Sequence, residues 1–77
     1  MEIQVIFFGS ITDITNTSQL VLSGCRDTQA LMTELIDRYP SIANRKYFVA
    51  VNQKMIQENT PLKTGDTVAL MPPFSGG

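Results

Sequence analysis

The residues best suited to chemistry are the last six of the 77-residue sequence, Pro72-Pro73-Phe74-Ser75-Gly76-Gly77. The two prolines stiffen the start of this segment, because proline fixes its own φ and cannot donate to a sheet ladder. The small residues after Phe74 add little side chain and much backbone freedom. Six extended residues reach about 20 Å at most, so the Gly77 carboxylate could enter a narrow site on another protein. We predict that Gly77, with Gly76 beside it, is the reactive position of the chain.

The composition removes most other kinds of active site. The sequence has no histidine, which excludes Ser-His-Asp and Cys-His relays and an imidazole general base. One cysteine without histidine leaves a structural zinc site short of its usual ligands, so we expect no bound metal. We expect Cys25 to pack as a small residue in a loop and Asp66 to serve a turn. Glu34 and Asp37 are expected on the solvated face of a helix, not as a catalytic carboxylate pair.

Charge and hydropathy exclude two classes of partner. Six Lys and Arg against seven Asp and Glu give a net charge of -1 with no basic cluster, so we expect no nucleic-acid binding. No run approaches the roughly 18 apolar residues that span a bilayer, and the acidic start Met1-Glu2 is unlike a signal peptide. We expect a cytoplasmic protein without a membrane partner.

The hydrophobic pattern predicts an α+β domain with one main helix packed on one face of one sheet. Strands are predicted at residues 2–8, 19–22, 48–51, 55–56 and 67–71. A helix of about three turns is predicted from an apolar stripe at helical spacing, formed by Leu31, Met32, Leu35, Ile36 and Tyr39. Asp27 or Thr28 should cap this helix and Pro40 should end it. Residues 12–18 are expected to be a polar hairpin loop, and no second domain is expected.

Strand alternation predicts a sheet face that a single helix leaves uncovered. If Ile3, Val5 and Phe7 face the helix together with Val68 and Leu70, the opposite parity faces away from it. That second row is also apolar and consists of Ile6, Phe8, Ala69 and Met71, with Met55 and Phe74 expected nearby. A contiguous apolar patch on a small protein usually marks an interface, and methionine adapts to different partner surfaces. We predict partner binding by Phe8, Met55, Met71, Phe74 and Ser75.

The pattern as a whole resembles the small subunits of molybdopterin synthase, which are ubiquitin-like sulfur carriers of the β-grasp fold. The resemblance covers nearly the whole chain: Ile-Gln-Val-Ile-Phe-Phe at 3–8, Arg-Tyr-Pro at 38–40, Val-Ala-Val-Asn-Gln at 49–53, and Thr-Pro-Leu-Lys-Thr-Gly-Asp-Thr-Val-Ala-Leu at 60–70. Its most specific part is the tail of two prolines, an apolar residue, a small hydroxyl residue and two glycines. The 9–17 loop departs from the family pattern, with Ile11, Asp13 and Ile14 where Arg and Glu are frequent.

The resemblance implies one mixed sheet of about five strands, in which the first and last strands are central neighbours, and a single domain with residues 72–77 as a flexible tail. It implies a carrier and not an enzyme in its own right. An E1-like, ATP-dependent adenylyltransferase would convert Gly77 to an acyl-adenylate, and a sulfur donor system would turn this into a thiocarboxylate. The large subunit of a heterotetrameric synthase would then use that sulfur to build the molybdopterin dithiolene from a cyclic pyranopterin precursor. No permanently bound cofactor is expected.

Three alternatives stay open at the level of sequence. A thiamine-pathway sulfur carrier also ends in two glycines, although the Pro-Pro-Phe-Ser lead-in argues against it. A ubiquitin-like protein modifier would use the same terminus to form isopeptide bonds with lysines. A plain interaction module would leave the tail without a role.

Overall fold

Five strands and two α-helices lie within residues 1–73, the part of the chain that the computed structural model describes. In chain order the elements are β1 (Glu2–Phe7), α1 (Ile11–Thr15), β2 (Gln19–Ser23), α2 (Thr28–Arg38), a 3₁₀ helix (Pro40–Asn44), β3 (Phe48–Val51), β4 (Lys54–Ile56) and β5 (Thr67–Met71). All five predicted strands and the predicted main helix are confirmed, with strand ends within one residue of those expected from the sequence. The predictions for Phe74, Ser75, Gly76 and Gly77 lie outside the described residues.

The strands form one mixed sheet in the order β2-β1-β5-β3-β4. β1 and β5 are parallel neighbours, with Val5 opposite Val68 and Ile6 opposite Ala69. The other three pairings are antiparallel. The expectation that the first and last strands are central neighbours is therefore confirmed, and β5 lies at the middle of the sheet.

The hydrophobic core lies between the sheet and α2. Val5 and Val68, which were predicted to face the helix, are fully buried beneath it. The helix contributes Leu31 and Leu35, which are also fully buried, and the Phe7 ring meets Tyr39 edge to face at 6.4 Å. Since alternate strand residues point to opposite faces, this burial assigns every strand residue of the other parity to the uncovered side of the sheet.

The ends of α2 follow from local chemistry. Asp27 is the N-cap, and its Oδ1 accepts from the Ala30 amide at 2.8 Å. Asn59, from the loop before β5, adds a second acceptor, because its Oδ1 accepts from the Gln29 amide at 2.8 Å. At the other end the helix stops at Arg38, since the residue before Pro40 is disfavoured in the helical region.

Two short helices lie where the sequence pattern predicted none. The expected polar loop at 12–18 begins inside α1, which buries Ile11 and Thr15 to 2% and 5% exposure. Ser10 gives this helix no side-chain cap at its start, whereas Asn16 closes its end in the left-handed conformation and donates its amide to the Thr12 carbonyl. Burial therefore has to stabilise the start of the helix. Pro40, predicted only as a stop, opens the 3₁₀ helix, where its fixed φ suits the first position and Ile42 enters the core.

Candidate functional site

The sheet face opposite α2, here called the open face, is built by the alternate residues of all five strands. Pairing register places side chains on the same side when they lie directly opposite each other. Phe48 thus joins Met71, and Ala50 joins both Ala69 and Met55. The members of the open face are Gln19, Val21 and Ser23 in β2, Glu2, Gln4 and Ile6 in β1, with Phe8 just after it, Thr67, Ala69 and Met71 in β5, Phe48 and Ala50 in β3, and Met55 in β4.

Large exposed apolar side chains are concentrated on this face. Five such residues occur among those described, and four of them are members of the open face: Phe8 at 47% exposure, Val21 at 57%, Phe48 at 42% and Met55 at 52%. Ile6, Ala69 and Met71 are half-buried between them. An apolar patch that crosses all the strands of a small protein is typical of a docking surface.

A shallow depression of about 740 Å³ occupies the middle of the open face. Its lining contains no Asp, Glu, Lys or Arg and consists of Gln4, Ile6, Phe8, Ala50, Asn52, Gln53, Met55, Thr67, Ala69 and Met71. No charged side chain of this lining has to give up its water when a partner covers the depression. The depression therefore suits an apolar partner surface better than a charged ligand.

A hydrogen-bonded turn shapes one rim of the depression. Asn52 and Gln53 connect β3 to β4 with positive φ values of 49° and 72°, as a tight hairpin turn of mirror-image type requires. Asn52 is fixed at both ends of its amide: Nδ2 donates to Asp66 Oδ1 at 3.0 Å, and Oδ1 accepts from the Thr67 amide at 3.0 Å. The rim is therefore held in place by the segment that leads into the central strand.

Asp66 belongs to this rim as a buried turn residue, as its sequence context predicted. Its second oxygen accepts from the Lys63 amide at 2.9 Å. The hydrogen bonds from Asn52 and from the Lys63 amide both favour the carboxylate and hold the pKa of Asp66 below its ordinary value. Asp66 stabilises the loop; it is not aimed at a reaction centre.

The tail segment starts at the end of β5, the central strand of the sheet. β5 ends at Met71, and Pro72 follows it half-buried, against Gly9 at the end of β1. The Phe8 amide donates to the Leu70 carbonyl at 3.0 Å, which continues the pairing of β1 with β5 beyond the strands themselves. The base of the tail is thus anchored in the centre of the sheet.

The structure brings together three of the residues predicted to bind partners. Phe8, Met55 and Met71 line the same depression, although their binding role stays a prediction. Phe74, Ser75, Gly76 and Gly77, also predicted as site residues, lie outside residues 1–73. Sequence reasoning missed Phe48 and Val21, since their place on the open face depends on strand neighbours that alternation within one strand does not reveal.

The remaining polar residues offer no second site within residues 1–73. Cys25 is buried to 4% exposure, and burial is the main cause that raises the pKa of its thiol. Glu34 pairs with Arg38 at 3.0 Å on the outer side of α2. No group of three or more His, Cys, Asp or Glu residues in this range is placed to hold a metal, and no helix in it is long and apolar enough to cross a membrane.

Comparisons with solved structures agree with this architecture. Small archaeal modifier protein 1 from Methanosarcina acetivorans superposes with a TM-score of 0.84 over 99% of this chain and 96% of that protein, at 24% identity. A complex of subunits 1 and 2 of the molybdopterin-converting factor from Helicobacter pylori contains a chain that matches with a TM-score of 0.78, at 30% identity and full coverage of both chains. The predicted ubiquitin-like β-grasp fold is confirmed.

Sequence comparisons reach the same group of proteins. The molybdopterin synthase sulfur carrier subunit of Escherichia coli (strain K12) is 32% identical over 97% of this chain and 99% of its own length. That of Chlamydomonas reinhardtii is 30% identical over the full length of both. The model of the ThiS family matches residues 5–77, which include most of the open face and the tail. The chain therefore belongs to the ThiS family.

Proposed function

We propose that this chain is the sulfur carrier subunit of a molybdopterin synthase. One structural observation carries the proposal: the tail starts from β5, whose outward residues line the middle of the uncharged depression on the open face. A partner that covers this face therefore lies where the tail begins. The full-length similarity to relatives named as sulfur carrier subunits of that synthase supports the same function.

The proposed chemistry takes place at the Gly77 carboxylate. A carboxylate is a poor electrophile, so an activating enzyme must first convert it, with ATP, to an acyl-adenylate and release pyrophosphate. Sulfur from a donor system then displaces AMP and leaves a thiocarboxylate. Glycine at positions 76 and 77 suits both steps, because a Cβ beside the reacting carbonyl would crowd the approach and fill a narrow tunnel.

The proposed division of labour makes this chain a carrier and its partners the catalysts. The sequence offers no histidine for proton transfer, and the carboxylates among the described residues are occupied in turns and caps or exposed on the surface. The acids, bases and oxyanion donors would come from the adenylyltransferase and the large synthase subunit, and ATP would be consumed by the adenylyltransferase. Sulfur would travel as the thiocarboxylate and enter the dithiolene of molybdopterin.

The open face is the proposed docking surface for the large subunit. Phe8, Met55 and Met71 would contact it together with Phe48, and Phe74 and Ser75 would follow the tail into the partner's site. The solved Helicobacter pylori complex, in which a protein 30% identical to this chain is assembled with a second subunit, supports a partner of this kind.

Intact mass spectrometry tests the carrier chemistry directly. The purified chain is incubated with the adenylyltransferase from the same organism, ATP and a sulfur donor, and the mass should change by the exchange of one oxygen for one sulfur. The matched control is the chain without Gly77, which should keep its mass. An unchanged mass for the complete chain, alongside an adenylyltransferase that is active on ATP, would rule the proposal out.

The same samples separate the competing functions. A protein modifier would give a lysine-linked adduct of higher mass, whereas a sulfur carrier keeps a free thiocarboxylate. Adding the large subunit and the cyclic pyranopterin precursor should regenerate the carboxylate and form molybdopterin. A thiocarboxylate that persists under these conditions would favour the thiamine pathway.

A further inference from the structure

Gly9 and Pro72 approach each other more closely than any larger residue at position 9 would allow. A Cβ built on Gly9 would lie 2.9 Å from Cγ of Pro72 and 3.4 Å from its Cδ. The first distance is about 0.5 Å shorter than the 3.4 Å at which ordinary contact begins. The proline ring is part of the backbone, so it cannot swing away as the end of a flexible side chain would.

Gly9 is held firmly on the opposite side of this contact. Its carbonyl accepts from the Thr12 amide at 3.1 Å and from the Thr12 hydroxyl at 2.7 Å. Both bonds belong to the first turn of α1, and α1 is fixed because Ile11 and Thr15 are buried. If a side chain were added at Gly9, Pro72 would therefore have to move more than Gly9.

The close contact is distinct from the backbone conformation of Gly9. Gly9, Gly24 and Gly65 all have positive φ, at 56°, 80° and 91°, which glycine adopts without strain. A Cβ on Gly24 or Gly65 would meet no atom within 4 Å. Among these three glycines, only Gly9 has both a positive φ and a close contact with Pro72 at the base of the tail.

We propose that Gly9 is a positioning residue for the carrier tail: its missing side chain leaves the seat on which Pro72 rests, and this seat sets the direction in which the tail leaves the sheet. The inference rests on the proposed function. Five residues follow Pro72 up to Gly77 and reach at most about 17 Å, so a change in the direction in which Pro72 leaves the sheet displaces the start of the whole tail. α1 supports this seat from the other side, through the hydrogen bonds of Thr12 to Gly9.

Adenylation kinetics test the inference, with the carrier as substrate of its activating enzyme and pyrophosphate release as the signal. Gly9→Asn is the test variant, because asparagine tolerates positive φ while adding the Cβ. Gly24→Asn is the matched control, since Gly24 also has a positive φ but a Cβ there would meet no atom within 4 Å. We expect Gly9→Asn to lower kcat about tenfold with little change in KM, because the body still docks and the carboxylate is misplaced. Gly24→Asn should stay within about twofold of the original chain.

A rescue variant separates positioning from loss of structure. Pro72→Ala removes the Cγ and Cδ atoms that would meet the new side chain, so Gly9→Asn combined with Pro72→Ala should match Pro72→Ala alone. Partial unfolding would instead raise the apparent KM and would not be rescued. Failure of rescue, or a kcat of Gly9→Asn equal to that of the original chain, would overturn the inference.

If no chain were adenylated, that result would count against the proposed function. An NMR measurement tests the contact between Gly9 and Pro72 independently of adenylation. Nuclear Overhauser cross-peaks between Gly9 Hα and the Pro72 ring protons are expected in the original chain and in Gly24→Asn. They should weaken in Gly9→Asn. Their absence from the original chain would overturn the proposed seat.

Discussion

Charge of either sign at Met55 should block docking of the large subunit without harming the fold. Met55 belongs to the edge strand β4 and is 52% exposed, so its replacement by Lys or Glu should change folding stability by no more than about 0.5 kcal/mol. It lies on the open face, where the lining of the depression carries no charge to pair with either substituent. Its replacement leaves both Gly9 and Pro72 unchanged, so it tests the surface and not the contact at the base of the tail.

The expected loss of affinity follows from the exposed half of Met55. Full burial of a methionine side chain contributes about 1.5–3 kcal/mol. Because 52% of Met55 is still exposed, burial of this part on docking would contribute about 1 kcal/mol to the binding free energy. Met55→Ala should therefore weaken binding about fivefold. A covered charge without a partner costs at least about 2 kcal/mol more. Met55→Lys and Met55→Glu should therefore each weaken binding about 100-fold or more.

Isothermal titration calorimetry against the purified large subunit measures these losses, and thermal melts verify that the variants fold. Thr33→Lys and Thr33→Glu are matched controls, because Thr33 is exposed on α2 on the other side of the sheet. Both controls should keep the original affinity within about twofold. If only one sign of charge at Met55 weakened binding, electrostatic steering would explain the interface better than apolar docking. Equal binding by folded Met55 and Thr33 variants would refute the assignment of the open face.

Three further predictions concern the supports of the site. Asn59→Ala removes a hydrogen bond to the start of α2 and should cost about 1 kcal/mol, seen as a melting temperature lower by about 4–8 °C; an unchanged melt would contradict this role. Ile11→Ala should destabilise the fold by about 2–5 kcal/mol in urea titration if α1 is held by burial, whereas a surface helix would lose less than about 1 kcal/mol. The pKa of Asp66 is lowered in the folded protein, so the carboxylate contributes fully to folding stability above its unfolded pKa of about 3.9. This contribution is lost as the pH falls through the pKa of the folded state. Asp66→Asn should therefore be less stable at neutral pH, and its melting temperature should fall less on acidification than that of the original chain. Thermal melts between pH 2 and pH 7 measure this difference. An unaltered pH profile would argue against the hydrogen bonds as the cause.

The parts of the fold that could be predicted from the sequence are those with a repeating pattern. Alternation assigned Val5 and Val68 to the core and Phe8 and Met71 to the opposite face, because the side-chain period of a strand is two. The helical stripe through Leu31 and Leu35 is equally regular. Each of these elements has enough residues to show its period, and their ends are marked by proline, glycine or a capping aspartate.

The missed features depend on contacts between distant segments. α1 has only five residues, so its pattern is too short to distinguish from a loop, and its stability comes from Ile11 reaching a core that the rest of the chain builds. The place of Phe48 beside Met71 depends on β3 pairing with β5. The approach of Gly9 to Pro72 brings together residues from opposite ends of the sequence, and no local pattern encodes such a distance.

Because β5 is central in the sheet, the proposed docking surface depends on a part of the chain that is synthesised late. β5 follows every other element in sequence, so during synthesis it is the last to emerge, and the sheet cannot close around its centre before then. A product cut short before residue 67 would lack the tail and would also lack the middle row of the open face. Such a fragment should therefore not compete with the full-length carrier for the large subunit. The topology thus couples the two proposed sites: the proposed docking surface is finished only when the segment proposed to carry sulfur has nearly been made.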